Sequence, residues 1–372
     1  MSITNLLMLL GGLGLFLYGM QMMGSGLEAA AGNRMKRILE RLTSNPILGV
    51  LVGAVITAVV QSSSATTVMV VGFVNSGMMT LRQAVWVIMG ANIGTTITGQ
   101  LIALDVGAIA PLFAFIGVVL VVFIKKQSVR YYGQIIAGLG ILFIGMDMMS
   151  SSMAPLRESE AFVNLLTQFS NPVLGILAGA VFTAIIQSSS ASVGILQALA
   201  SSGVIGLSNA VFVLFGQNIG TCITAVLASV GTSRNAKRTT IIHLMFNIFG
   251  TVLFTVICIF SPLTDWVSSW TPGSPSAQIA NMHTLFNIVT TLLLLPFGGY
   301  LAKLATRILP EKPTEALENG VHQLLYIKPV DQLSAEHHVG TSAIVINGVQ
   351  RELARMAEMV LKNVDESFQA VL

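Results

Sequence analysis

The chain contains one sequence twice, and this duplication constrains its fold more than any other feature. Residues 44–65 read SNPILGVLVGAVITAVVQSSSA and residues 170–191 read SNPVLGILAGAVFTAIIQSSSA, with Gln187 following Gln61 by 126 positions. The same offset, without a gap, lays GANIGTTIT (90–98) on GQNIGTCIT (216–224). It also lays GLGLFLYGMQMM (12–23) on GLGILFIGMDMM (138–149). Duplicated apolar units of this kind are typical of secondary transporters.

Composition names the solvent. Of 372 residues, 53% are hydrophobic and 9% charged, whereas about a quarter of residues in soluble domains carry charge. Several stretches reach the roughly 20 apolar residues needed to cross a hydrocarbon core as a helix, so a lipid bilayer is the expected surrounding. The net charge of +3 does not point to nucleic acid, because the basic residues sit in short loops beside apolar spans. Cys222 and Cys258 lie in apolar segments and are too few for a disulfide framework or zinc cage. The first apolar stretch, 6–23, has no positive charge before it and Arg34, Lys36, Arg37 and Arg41 after it. That order is the reverse of a cleaved signal peptide, and a retained first helix with its N-terminus outside is expected.

Segment length then sets topology. Residues 46–79 are too many for one span and too few for two with a turn. A re-entrant helical hairpin fits, with its tip at residues 61–64. Asn45 before Pro46, and Asn171 before Pro172, supply an N-cap followed by proline in the first turn. The first repeat is read as helix 6–24, a surface amphipathic stretch 27–42, hairpin 46–79, and helices 82–103 and 106–124. The second is read as helix 134–152, hairpin 172–204, and helices 208–229 and 239–260, with a seventh helix, 280–303, added after it.

Three crossings per unit make the second unit inverted. Loop charge agrees: Arg82, Lys125, Lys126, Arg130, Arg234, Lys237, Arg238, Lys303, Arg307 and Lys312 all fall on one side, and loop 261–279 has no lysine or arginine. The expected fold is an all-α membrane protein of two inverted-topology repeats (1–130 and 131–260). It has about seven transmembrane helices plus two re-entrant hairpins, the N-terminus outside and the C-terminus inside. An outer loop and final helix (261–308) follow, then a polar tail (309–372). In the tail, Val345, Val349, Leu353, Met356, Val360, Val364 and Phe368 have the spacing of an amphipathic helix. It runs to Leu372 without a stop signal, as the start of a longer cytoplasmic helical domain would.

The chemistry concentrates in the repeated motifs. A backbone break inside lipid is tolerated only where it lines a cavity or meets a ligand. The second limb of each hairpin begins at serines, offering free N–H groups, hydroxyls and the positive end of a helix dipole, a setting suited to an oxyanion. Two inverted hairpins would bring Gln61, Ser62, Ser63, Ser64, Gln187, Ser188, Ser189 and Ser190 around one tetrahedral anion. The bland alternative is close helix packing with serines bonded back to their own helices. In the second motif, Asn92, Gly94 and Thr95 match Asn218, Gly220 and Thr221. Local unwinding there would free carbonyls and the oxygens of Thr95, Thr98, Thr221 and Thr224 to ligate a hard cation; a glycine packing notch is the alternative. Lysine and arginine occur in the expected spans only at their very ends, Arg82 and Lys303, so co-bound monovalent cations are the natural compensation for a midplane anion. Asp147, opposite Gln21 in the repeat, could tune cation passage or be a solvated helix end. His243 and Asn247 recur as His283 and Asn287 in two H-x-x-F-N segments, read as interhelical hydrogen bonding. The serines lack a paired His and carboxylate, so a hydrolase is not indicated.

Together the paired QSSS, the NIGT motifs and H-x-x-F-N resemble the type II sodium/phosphate cotransporter family over about residues 5–305. The resemblance implies sodium-coupled transport of inorganic phosphate, with both QSSS tips at the phosphate and Gln187, Ser188, Thr221 and Thr224 at sodium. Asn218, and Asn92, Thr95 and Thr98 of the first repeat, complete the expected cation ligands. It further implies a non-enzyme with no cofactor beyond coupling sodium, a multi-pass bacterial inner-membrane protein, and a tail resembling the start of a PhoU-like domain. Expected partners are phosphate, sodium and the lipid bilayer; a homo-oligomer is compatible with the sequence. Rival readings are a carrier of another small anion, a phosphate exporter, and a membrane-anchored phosphate sensor acting through the tail.

Overall fold

Helices form wherever an apolar run meets a start signal. The computed structural model describes residues 2–31, 43, 45–104, 106–159, 162, 164 and 168–310, and in the tail 350, 351, 353–358, 360, 361 and 364; all regular structure among them is helical. Met1–Leu309 form one unit and Pro310–Leu372 another. In the first unit α1 (Ile3–Ala31) is followed by α2 (Pro46–Val60), α3 (Ser63–Asn75), α4 (Leu81–Ile102), α5 (Ala110–Phe123) and α6 (Gln127–Met153). The second repeat continues with α7 (Pro172–Ile186), α8 (Ser189–Ser201), α9 (Leu207–Gly220), α10 (Cys222–Ala228) and α11 (Arg234–Phe260). After it come α12 (Leu263–Ser268), α13 (Pro275–Leu294) and α14 (Gly298–Ile308).

Among the described residues six stretches are long and apolar enough to cross a membrane: Ile3–Ala31, Leu81–Ile102, Gln127–Leu156, Leu207–Ala228, Arg234–Phe260 and Pro275–Ile308. The expected span 106–124 is a short 3-10 turn followed by the 14-residue α5. At 1.5 Å per residue, 14 residues reach only about 21 Å, less than the core thickness. The expected helix 280–303 is interrupted by a 3-10 turn at Leu295–Phe297, where Pro296 lacks the N–H that would continue the ladder. Of the stretch 27–42, residues 27–31 belong to α1 and 32–42 lie outside the described residues. In the tail the described residues from 350 to 364 are helical, with Leu353, Met356, Val360 and Val364 exposed.

Packing repeats with the sequence. A Cβ on Gly90 would overlap the Val50 carbonyl oxygen, and one on Gly216 would overlap that of Ile176. Gly94 meets Ala54 and Gly220 meets Ala180 in the same way. Each pair is the other moved by one repeat length, so α2 lies on α4 as α7 lies on α9. The matching helices α1 and α6 pack on one another through Gly12 against Gly145 and Gly19 against Gly138. Residue numbers rise along one helix as they fall along the other, so the two are antiparallel. The outer surface is apolar, with Ile185, Val122 and Phe260 exposed, while Thr57, Gln197, Asn247 and Asn287 are fully buried. A lipid-facing exterior with its polar groups inside is the arrangement a bilayer demands.

Candidate functional site

Each QSSS motif breaks its helix pair in the same way. Asn45 Oδ1 accepts from the amides of Ile47 (2.9 Å) and Leu48 (3.3 Å) to start α2, and Asn171 does the same for α7 (3.0 and 3.3 Å). Both helices stop at the glutamine. Gln61 (φ 57°) and Gln187 (φ 60°) are the two non-glycine residues with positive φ among the described residues. This left-handed conformation costs an L-residue about 1 kcal/mol, and it turns the chain out of the helix. The next serine is extended and caps the following helix: Ser62 Oγ accepts from Ala65 N (3.1 Å) and Ser188 Oγ from Ala191 N (3.2 Å). The amides of Ser63, Ser64, Ser189 and Ser190 find no acceptor among the described residues. These are the free donors that a helix N-terminus presents to an anion.

The two tips touch. Ser63 Oγ and Ser189 Oγ, equivalent residues of the two repeats, lie 3.5 Å apart, and both residues are buried. The NIGT helices close over them by crossing between repeats. Thr98 Oγ1 donates to Gln61 Oε1 (2.9 Å) and accepts from Ser190 Oγ (3.5 Å), while Thr224 Oγ1 lies within hydrogen-bond distance of Ser64 Oγ (3.2 Å) and of the Thr221 carbonyl (3.0 Å), its one proton shared between them. The contacts Thr98–Ser190 and Thr224–Ser64 exchange when every residue moves by one repeat length. In the same way Ser63 meets its own repeat counterpart, Ser189.

The halves are not identical in detail. Gln61 is buried and its amide donates to the Ala58 carbonyl, whereas Gln187 is exposed and its carbonyl oxygen accepts from Ser64 Oγ (3.5 Å). Thr57 and Thr66 hydroxyls bond at 3.0 Å in the first repeat; their counterparts Thr183 Oγ1 and Ser192 Oγ are buried without partners.

The expected unwinding at NIGT does not occur in the first repeat, where α4 is continuous from Leu81 to Ile102. In the second, α9 gives way to α10 at Thr221, which keeps right-handed helical angles (φ −62°, ψ −22°). The glycines act instead as packing notches against α2 and α7, and the asparagines bond back to their own helices: Asn92 Nδ2 to the Ile88 carbonyl (2.8 Å), Asn218 Nδ2 to that of Leu214 (3.0 Å). Side-chain oxygens rather than freed carbonyls are therefore available there. Thr95 Oγ1 is buried without a partner. Thr221 is buried one turn before Thr224, and no hydrogen bond joins either threonine to Gln187 or Ser188 in this conformation. Of the H-x-x-F-N pair, His283 Nε2 meets Asn218 Oδ1 at 3.1 Å, and Asn247 Nδ2 donates to Cys222 Sγ at 3.3 Å. Both segments thus brace the second NIGT helix from α11 and α13.

Sequence reasoning missed Gln197. This fully buried residue on α8 joins three elements, its Nε2 donating to the Gly99 carbonyl (3.0 Å) and to Ser276 O (3.1 Å) and Oγ (3.0 Å). One lone glutamine in an apolar helix, opposite Val71 in the other repeat, was the available signal.

A family model described as "Na+/Pi-cotransporter" matches residues 15–151 and again 152–263. The chain is 35% identical over 298 residues to the uncharacterized protein YqeW of Bacillus subtilis, covering 80% of this chain and 96% of that one. It is 26% identical over 311 residues to a protein of Escherichia coli named "Putative inorganic phosphate export protein YjbB", with 83% of this chain covered. The chain spans about half, 56%, of that relative's length. Over 105 residues, 28% of this chain and 15% of the relative, it is 39% identical to sodium-dependent phosphate transport protein 2B of Homo sapiens. No solved structure matches. With the match spanning both repeats and six helices able to cross a bilayer, the chain is a multi-pass membrane protein and belongs to the Na+/Pi-cotransporter family.

Proposed function

We propose that the chain is a sodium-coupled carrier of inorganic phosphate, with phosphate held between the two QSSS tips. The observation that carries this reading is the meeting of the tips, Ser63 Oγ to Ser189 Oγ at 3.5 Å. Two helix N-termini converge there with free amides and six serine hydroxyls, and four donors or more around one point suit a tetrahedral oxyanion. Each N-terminus contributes roughly half a positive charge, and no lysine or arginine hydrogen-bonds to the tips among the described residues. The remaining negative charge calls for co-bound cations. Gln187, Ser188, Asn218, Thr221 and Thr224 are assigned to one sodium, and Asn92, Thr95 and Thr98 to cation binding in the first repeat; the unpartnered Thr95 oxygen supports that assignment.

Alternating access follows from treating the repeats as inverted, with each QSSS hairpin re-entrant. The antiparallel packing of the equivalent helices α1 and α6 supports this, as does the exchange of Thr98–Ser190 with Thr224–Ser64. Inverted halves can swap conformations, opening the same midplane site to either side.

Reconstituted protein is expected to take up labelled phosphate faster under an inward sodium gradient than with potassium. Equal uptake in both would remove the coupling. Export is the second reading on direction, favoured by the relatives named for phosphate export; efflux from phosphate-loaded cells overexpressing the chain distinguishes it from uptake.

A further inference from the structure

A cavity of about 310 Å³ lies to one side of the tips, lined by Asp147, Ser150, Ser201, Ser274 and Ser276 together with Ile102 and Phe143. Among the described residues of its lining Asp147 is the only charged one, and none is lysine or arginine. Such a surface repels phosphate and attracts a cation. One carboxylate among neutral oxygens suits a monovalent ion, since a divalent cation binds several carboxylates or retains most of its water.

Between this cavity and the tips stands Gln197. On the cavity side its amide holds Ser276, a lining residue, through both the carbonyl (3.1 Å) and the hydroxyl (3.0 Å). On the other it holds the Gly99 carbonyl at 3.0 Å, next to Thr98, which bonds Gln61 and Ser190. The neighbouring Ala198 carbonyl accepts from Ser150 Oγ, another lining residue, at 3.3 Å. The side-chain oxygen of Gln197 is different: fully buried, it has no partner. Buried amide oxygens are nearly always satisfied, so an unsatisfied one beside Gly99, on a side chain bonded to the cavity-lining Ser276, is a vacant ligand. Its repeat counterpart is Val71, so the device occurs in one half only and gives the otherwise paired halves a polar barrier on one side.

We propose that the Asp147 cavity is the access vestibule for the coupling cation and that Gln197 is its inner gate. The amide closes the vestibule floor by holding Gly99 and Ser276 together, and Oε1 ligates the monovalent ion as it passes toward Thr98. The destination of the ion rests on the transport reading above; the vestibule and gate do not.

Thiol labelling of the full chain in lipid nanodiscs, read by mass spectrometry of the modified peptide, tests the gate without any transport measurement. Ser150→Cys should react quickly with a small cationic methanethiosulfonate, at least tenfold faster than with an anionic one, and Asp147→Asn should remove that preference. Ser190→Cys, beyond the gate, should react slowly with Gln197 in place and at least tenfold faster with Gln197→Ala. Ser276→Ala, which deletes one acceptor and preserves a small side chain, should raise the Ser190→Cys rate by a smaller factor. An unchanged Ser190→Cys rate in both gate variants would overturn the gate. Equal reaction of Ser150→Cys with both reagents would overturn the cation vestibule. In proteoliposomes Asp147→Asn should raise the sodium concentration for half-maximal uptake several-fold and leave that for phosphate unchanged. A protein that failed to move phosphate would still give the labelling pattern, so the two readings fail separately.

Discussion

Gln61 shows how one side chain serves both shape and chemistry. Its backbone takes the left-handed conformation that ends α2, and its side chain receives the Thr98 hydroxyl at 2.9 Å. Gln61→Gly removes a strain of about 1 kcal/mol and two side-chain hydrogen bonds, from Thr98 and to Ala58, each worth about 1 kcal/mol, so unfolding temperature should fall only modestly. Phosphate uptake should nonetheless fall at least tenfold, separating fold from function at this position. Thr98→Val deletes contacts to both tips while keeping volume. Loss of two hydrogen bonds at about 1 kcal/mol each corresponds to roughly a tenfold or greater fall in kcat/KM, measured as initial uptake rate against phosphate concentration. The duplicated glutamines, serines and threonines were all legible as a set. That Thr98 bonds Ser190, and Thr224 bonds Ser64, was not, because partners 92 and 160 positions apart leave no local pattern in a chain.

Among elements, the close contact of α2 with α4 and of α7 with α9 depends on glycine. The Val50 carbonyl occupies the space a Gly90 Cβ would need, and Ile176 does the same at Gly216. Gly90→Val and Gly216→Val should each force the helix pair apart. Overpacking commonly costs about 1–3 kcal/mol, and here the obstacle is backbone that cannot rotate away, so a marked loss of folded protein in size-exclusion profiles is expected. Gly14 on α1 has nothing within 4 Å of its Cβ position, and Gly14→Ala should be neutral or stabilising by up to about 1 kcal/mol. The sequence motif suggested unwinding at Gly94 and Gly220 because Gly, Asn and Thr together weaken a helix. Tertiary contact overrode that tendency: the missing side chains are filled by a neighbouring helix, and Asn92 and Asn218 satisfy carbonyls of their own turns.

For the molecule as a whole, the meeting of the tips is a statement about one conformation, and a carrier must leave it. Ser63→Cys with Ser189→Cys places two thiols where hydroxyl oxygens now lie 3.5 Å apart. Oxidation should trap the tips together and abolish uptake, with recovery after reduction; full uptake by the oxidised, cross-linked protein would mean the tips do not separate in the cycle. Removing residues 311–372 should leave sodium-driven uptake within about twofold of the full chain, given that Met1–Leu309 form a unit of their own. Loss of uptake would instead favour a protein that acts through its tail.

The amino-acid sequence by itself determined the duplication, the helical and membrane-borne character of the chain, the caps at Asn45 and Asn171 and the breaks at both QSSS motifs. All of these are set by residues within a turn or two of one another, or by hydrophobicity summed over a span. Tertiary structure alone decided that equivalent serines touch, that the NIGT glycines are notches in intact helices, that 106–124 is a 3-10 turn and a short helix, and that Gln197 bridges α8 to α4 and α13. Those outcomes depend on which surfaces meet, and packing between helices far apart in the chain is fixed by shape and by hydrogen-bond partners that no local pattern encodes.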